Sequence, residues 1–342
     1  MQTCAKRSRG PRSGAFAGGS ELRRAPAILW RIAPLGQTDL DVFPLCLGGN
    51  VFGWRMDDAG AFAVLDAYVE AGGNFIDTAD IYGRRGPEGL GASERTIGRW
   101  IAARGNRDRL VIATKVGMAE ELKGLSAHTV EQGARGSLER LGIEEIDLFY
   151  AHEDDPDTPL AETLGAFQRL IDEGLIRYAA ASNYSAQRLA EAIALGREPG
   201  NASYVALQPH YNLIERDEYE GELQQLCERE HVACLPYYGL ARGFLTGKYR
   251  PDGPDIDSPR AAGVRESYFN ERGFRVLQAL DEVAASHEVS VAAVALAWLR
   301  RQPTVVAPIA SATSVPQLDE VLQSVAVELQ PSELERLSAA SA

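Results

Sequence analysis

Asp77, Tyr82, Lys115 and His152 carry the side chains that reduction of a carbonyl group needs. A C=O carbon accepts hydride readily only when negative charge growing on its oxygen is stabilised. A phenol such as Tyr82 can do this by giving up a proton, but with an unperturbed pKa of ~10 it is a poor acid near neutrality. A neighbouring ammonium favours the phenolate, and Lys115 is of the right type. Asp77 can pair with that ammonium and fix its position. The His152 imidazole can hydrogen-bond the carbonyl oxygen and orient it. Singly, a loop tyrosine, a strand-end lysine and a hydrogen-bonded histidine are commonplace. The inference rests on the four together.

Their setting supports it. They lie in the strings N-F-I-D-T-A-D-I-Y-G (Asn74 to Gly83), L-V-I-A-T-K (Leu110 to Lys115) and I-D-L-F-Y-A-H (Ile146 to His152). Three of the four end a short apolar run, and Tyr82 sits in the loop after the first. Apolar runs that end in an ionisable group are what the strands of an α/β barrel look like when their C-terminal ends carry chemistry.

Such runs recur. Leu45–Gly48, Phe75–Asp77, Leu110–Lys115, Ile146–Ala151, Ile176–Ser182, Val205–Gln208, Ala233–Tyr237 and Val305–Ile309 read as buried parallel strands. Between them, helical spacing of apolar residues marks Ala59–Ala71, Glu88–Ala103, Ala127–Leu141, Leu160–Asp172, Ala186–Leu195 and Glu218–His231, then the pair Phe274–His287 and Val291–Leu299. Most strand ends fall one β–α unit apart, and right-handed crossovers would close eight parallel strands into a (β/α)8 TIM barrel. An open doubly wound sheet is the alternative. Its usual nucleotide signature, G-x-G-x-x-G between first strand and helix, is missing.

The 342 residues carry 45% hydrophobic and 24% charged residues, as a globular chain does. A net charge of −13 argues against a general nucleic-acid or anionic-membrane surface, and no apolar run reaches spanning length. The four cysteines and five histidines show no metal-ligand spacing, so no metal is expected. Cys46 and Cys227 read as small buried hydrophobes, which fits a cytoplasmic location. Residues 1–28, rich in Arg, Gly, Ser and Ala, read as a disordered extension, with a transit peptide as the lesser alternative. Residues 29–342 then form a single domain. From Ile28, I-L-W-R-I-A-P-L-G-Q-T-D-L-D-V-F reads as a hairpin turning near Gly36.

From about Leu35 to Leu337 the chain resembles the aldo-keto reductase family, including its potassium-channel β subunits. The resemblance implies a (β/α)8 barrel with a bottom-closing N-terminal hairpin and extra C-terminal helices. It implies a catalytic tetrad of Asp77, Tyr82, Lys115 and His152. It also implies that Ser182, Asn183 and Gln208 hold the nicotinamide carboxamide and that Tyr237 stacks on the ring. The stretch Tyr237-Tyr238-Gly239-Leu240-Ala241-Arg242-Gly243-Phe244-Leu245-Thr246-Gly247-Lys248-Tyr249 resembles the family's Y-S-P-L-x-x-G-L-L-T-G-K-Y loop. There, Tyr238, Gly239, Leu240, Arg242, Gly243, Leu245 and Lys248 are expected on the cofactor, its glycines letting backbone N–H groups approach the pyrophosphate. Arg260 falls near the adenosine, or is a solvated loop charge.

The match loosens at Ser311-Ala312-Thr313-Ser314-Val315-Pro316-Gln317-Leu318-Asp319-Glu320-Val321, which resembles the segment around the adenosine 2′-phosphate. Many members carry basic residues where Ser311, Thr313 or Gln317 stand. Hydroxyl and backbone donors at a helix start can hold phosphate, though more weakly than an arginine clamp, and NADPH remains the expected cofactor, with NADH the alternative. Gly49, Asn50, Asp77 and Glu320 complete the expected cofactor contacts. Trp54 and Tyr238, with Tyr82 and His152, are the expected substrate contacts. Gly49, Asn50, Phe52 and Trp54 follow the first strand, and the loop Gly83–Ala92 is placed at the mouth.

The expected function is NADPH-dependent reduction of an aldehyde or ketone, a small-molecule carbonyl, with the oligomeric state open. A cofactor-sensing subunit of the channel-β type is the first rival. A lyase using Lys115 as a Schiff base is the second.

Overall fold

The computed structural model describes residues 32–342. The reading of residues 1–28, and the part of the hairpin before Ile32, lie outside them. Eight parallel strands form one sheet: β1 (Cys46–Gly48), β2 (Phe75–Asp77), β3 (Val111–Val116), β4 (Ile146–Ala151), β5 (Ile176–Ser182), β6 (Tyr204–Gln208), β7 (Ala233–Cys234) and β8 (Ile309–Ala310). Their spatial order is β7-β6-β5-β4-β3-β2-β1-β8. The ends of this row meet, because Cys234 bridges Val305 and Ile309 N–H donates to the Pro236 carbonyl at 2.9 Å. The sheet thus curls into a (β/α)8 barrel.

The strand period of two explains how a packed interior becomes a site. Phe75, Ala113, Tyr150, Ala180, Ala206, Leu235 and Ile309 all lie in the inner apolar cluster. Two residues further along each strand, on the same side, stand Asp77, Lys115, His152, Ser182, Gln208, Tyr237 and Ser311. The opposite positions, among them Ile76, Ile112, Phe149, Ala181 and Leu207, pack with the helices.

The helices are α1 (Asp58–Glu70), α2 (Ala92–Arg104), α3 (Ala127–Leu141), α4 (Leu160–Asp172), α5 (Ala186–Gly196), α6 (Glu222–Glu230), α7 (Ala261–Tyr268), α8 (Glu271–His287), α9 (Val291–Arg300), α10 (Val315–Leu322) and α11 (Pro331–Ala340). Two expected helices start late. Glu88 lies in a loop, because Gly89 and Gly91 take left-handed φ of +69° and +71°, and α6 begins only after Gly221 at φ +102°. α9 is almost wholly buried. Among the described residues no single helix is long and apolar enough to cross a membrane.

The hairpin pairs Ala33–Pro34 with Asp41–Val42, and Gly36 turns at φ +57°. A Cβ on Gly36 would stand 3.2 Å from the His231 carbonyl and 3.3 Å from that of Val205. The turn therefore lies at the starts of β6 and β7, with Leu35 and Leu40 plugging the barrel floor opposite the tetrad.

Candidate active site

At the C-terminal ends of the strands lies a cleft of about 970 Å³. Beneath it Lys115 is fully buried, and its Nζ donates to Asp77 Oδ2 at 2.7 Å, to the Thr78 carbonyl at 2.8 Å and to the Tyr82 hydroxyl at 3.4 Å. Gln208 Nε2 donates to the other Asp77 oxygen at 3.0 Å. Asp77 is thereby held on both sides, and one rotamer of the ammonium is selected.

Tyr82 hangs from a loop that is tied down at several points. Its N–H donates to the Ala79 carbonyl at 3.0 Å, and the Ser93 N–H donates to its carbonyl at 3.3 Å. The hydroxyls of Thr78 and Ser93 share a hydrogen bond of 2.8 Å, and Ser93 Oγ also donates to the Gly49 carbonyl at 2.8 Å. Behind them Glu94, fully buried, accepts from Thr114 Oγ1 at 2.6 Å and pairs with Arg140 at 2.6 Å. The start of α2 thus fixes the phenol relative to β1, β2 and β3.

Burial pushes the Tyr82 phenol above its ordinary value, while the Lys115 ammonium pulls it down. The downward pull expected of Lys115 is present, but burial outweighs it, so the phenol stands above its ordinary value. For Lys115, burial alone disfavours the charge, but Asp77 and then Tyr82 hold its pKa above the usual range, so it stays protonated. His152 is the reverse case. Burial, then the Lys115 charge, holds it well below the ordinary imidazole value, so it is neutral at physiological pH. Its ring meets Tyr82 edge-on at 6.0 Å, and its Nδ1 is buried without a partner.

Beside the tetrad, Ser182 Oγ donates to the Gln208 carbonyl at 2.9 Å. Asn183 Nδ2 donates to the His152 carbonyl at 2.9 Å, and Tyr237 OH donates to Asn183 Oδ1 at 2.8 Å. His210 stacks on Tyr237 with ring centres 5.3 Å apart. Asn183, Tyr238 and Arg242 all hold φ between +53° and +59°, left-handed backbone that costs a non-glycine residue on the order of 1 kcal/mol or more and gathers at functional sites.

The cleft brings most of the expected residues together. Asn50, Trp54, Asp77, Tyr82 and His152 line one part, and Ser182, Asn183, Gln208, Tyr237 and Tyr238 another. Gly239, Leu240, Arg242, Gly243, Lys248 and Arg260 line the loop side, and Ser311, Thr313, Gln317 and Glu320 the far end. Gly49, Leu245 and Phe52 stand behind the wall. Leu245 and Phe52 are core residues, and a Cβ on Gly49 would lie 2.9 Å from Ser93 Oγ and 3.1 Å from the Asp77 carbonyl. Thr313 N–H and Oγ1 both donate to Gln317 Oε1, at 3.0 and 2.9 Å, and Ser311 Oγ donates to Asn50 Oδ1 at 2.8 Å.

A profile of the Aldo/keto reductase family matches residues 44–342. The chain belongs to the aldo/keto reductase family. It is 33% identical over 302 residues to a probable voltage-gated potassium channel subunit beta of Oryza sativa subsp. japonica, covering 86% of this chain and 90% of that one. It is 32% identical over 311 residues to the norsolorinic acid reductase stcV of Emericella nidulans, covering 86% and 76%. An aldo-keto reductase of Schizosaccharomyces pombe, yakc, named with NADP(+), is 29% identical over 300 residues, covering 85% of each chain. Carbonyl reduction with a nicotinamide cofactor is the chemistry of this family.

In this aldo/keto reductase two features went unread in the sequence. Asp80, three residues after Asp77, is 4% exposed with Oδ1 unpartnered, and burial, then the nearby Glu94 carboxylate, pushes it up to about 7. Arg55, Arg84 and Arg85 also line the cleft. Only the placing of the Gly83–Ala92 loop at the mouth pointed towards Arg84 and Arg85.

Proposed function

We propose that the protein reduces an aldehyde or ketone to the alcohol with NADPH, using Tyr82 as the general acid. The observation that carries this reading is one ammonium, Lys115, within 2.7 Å of Asp77 and 3.4 Å of Tyr82, at the base of a cleft that also holds His152. The nicotinamide, when bound, supplies the hydride to the carbonyl carbon. Tyr82 gives its proton to the carbonyl oxygen, so the product is a neutral alcohol, and Lys115 stabilises the phenolate left behind. Neutral His152 donates a hydrogen bond to the same oxygen and aligns it. Asp77, held by Gln208 and Lys115, keeps the ammonium in place.

The residues fit a dinucleotide. Lys248 is held below its usual range by burial, then by the charges of Arg260 and Arg55, a crowding of cations that a pyrophosphate or 2′-phosphate relieves. Ser182, Asn183 and Gln208 offer the amide and hydroxyl groups that suit a carboxamide, and Tyr237 offers a ring to stack on it. The NADP(+) in the name of the Schizosaccharomyces relative supports the phosphate-bearing cofactor. A cytoplasmic location goes with this reading.

The second reading, a slow cofactor-sensing subunit, is favoured by the likeness to the Oryza protein. Incubating the purified protein with NADPH or NADH and a panel of small carbonyls, while following nicotinamide absorbance, separates the two. Turnover with some carbonyl supports the reductase. Tight NADPH binding without turnover across the panel supports the sensor.

A further inference from the structure

Arg84 and Arg85 directly follow the Tyr82–Gly83 pair, are exposed, and line the cleft. Their loop is seated hard on the segment after β1. A Cβ on Gly86 would overlap the Gly53 carbonyl and lie 2.9 Å from Trp54 Cα. That contact sets the loop of the two arginines against the segment carrying Trp54 and Arg55, whose guanidinium lies 5.4 Å from the Trp54 ring centre.

Among the described residues, none of Arg55, Arg84 and Arg85 finds an acidic or hydrogen-bonding partner for its guanidinium, although the chain carries a net charge of −13. Among the described residues every arginine outside this cleft, Arg109 excepted, has one. An acidic protein that leaves adjacent guanidinium groups unpaired at one mouth presents them to an anion from solution.

The cations of the cleft fall into two sets. Arg242 and Arg260 both lie over Tyr238, at 5.3 and 5.9 Å from its ring centre, and Lys248 shares their loop side. These suit the cofactor phosphates, and the Arg55 charge reaches Lys248 as well. Arg84 and Arg85 instead share a loop with the acid itself, their Cα atoms within about 7–11 Å of that of Tyr82. Resting on the reductase reading above, we propose that Arg84 and Arg85 bind an anionic group of the substrate, so that the protein reduces carbonyl compounds bearing a carboxylate or phosphate several bonds from the C=O. Trp54 and Ile81, which line the cleft beside them, cover the apolar body between the two ends.

Matched aldehydes test this: 4-formylbenzoate, its neutral methyl ester, and 4-formylphenyl phosphate, each with NADPH and the full-length protein. The wild type should show a higher kcat/KM for the anions than for the ester. That ratio should fall about tenfold in the Arg84→Gln/Arg85→Gln variant, and should also fall as salt is raised. The larger fall of the two anions tells carboxylate from phosphate. A ratio unchanged by the variant overturns the proposal. So does a weakened NADPH affinity with the ratio intact, which would assign the arginines to the cofactor. If the ester is reduced without anionic preference, this inference fails and the reductase reading stands. If none of these aldehydes is reduced and the wider carbonyl panel also gives no turnover, the reductase reading fails. Calorimetric titration of 4-formylbenzoate into the NADP-loaded protein then decides the anion site, and equal binding by wild type and variant overturns it.

Discussion

Lys115 Nζ stands 3.4 Å from the Tyr82 hydroxyl with no part of the lysine exposed, so its charge acts on the phenol almost unscreened by water. Burial holds the Tyr82 pKa up and this ammonium pulls it down. With Tyr82 as the proposed acid, reduction needs the protonated phenol, so activity should be lost as pH rises through the Tyr82 pKa. Lys115→Met removes the downward pull, and the basic limb of the remaining activity should move to higher pH. The same change strands Asp77 in the core with only the Gln208 amide, which should destabilise the fold by about 3–5 kcal/mol. Adding Asp77→Asn should recover part of that loss. A pH–rate profile and a denaturation cycle over the four proteins check both. A basic limb that stays in place would show that Lys115 does not act on the phenol.

Tyr82→Phe keeps the ring against His152, whose centre lies 6.0 Å away, and deletes only the proton donor. Turnover should fall by at least about 100-fold, the usual contribution of a general acid, while NADPH affinity measured by fluorescence barely changes. A loss of only a few-fold would remove Tyr82 from the chemistry.

Asp80 provides a test by stability. Its folded pKa is raised from 3.8 to about 7, so the folded protein holds a proton that the unfolded chain has released. Stability therefore falls as pH rises from about 4 to 7 and levels off above. In Asp80→Asn this dependence is gone. The variant should gain on the wild type across that window, whatever constant offset the amide brings. Urea denaturation of both proteins from pH 4 to 8 measures it. A difference that does not change with pH would mean that Asp80 ionises normally.

The tetrad was legible because a strand repeats every two residues. An apolar inner face that ends in Asp77, Lys115 or His152 announces itself in one dimension. β7 and β8 were misjudged in length because Pro236 and Pro308 lack the N–H that regular pairing uses, although the segment from Thr304 to Ile309 still bonds to β7 and closes the barrel. α7 was hidden beside a Gly/Pro-rich stretch, and the left-handed Tyr238 and Arg242 carry no glycine to mark them. The unpartnered Asp80 and the unpaired Arg84 and Arg85 are facts of tertiary pairing. Arginines of the same kind at positions 95 and 99 both find Glu88. Nothing local distinguishes the free ones.

The proposed place of cofactor choice is the far end of the cleft, where Thr313 and Gln317 stand at the start of α10 and bond to each other. If the 2′-phosphate of NADPH sits there, hydroxyl and backbone donors hold it without a guanidinium. Thr313→Arg would then add a charge-assisted bond worth roughly 1.5–3 kcal/mol when well placed, about a ten- to hundredfold gain in affinity. NADH lacks that phosphate and should gain little. The substitution also removes the Thr313 hydroxyl bond to Gln317 while the backbone N–H bond stays, a loss that falls on both cofactors alike and cancels in their ratio. Fluorescence titration of wild type and variant with each cofactor gives that ratio directly. A rise in NADPH preference places the phosphate beside Thr313. An unchanged ratio places it elsewhere, with Arg260 the next candidate, and Arg260→Gln should then lower NADPH affinity while leaving NADH nearly untouched.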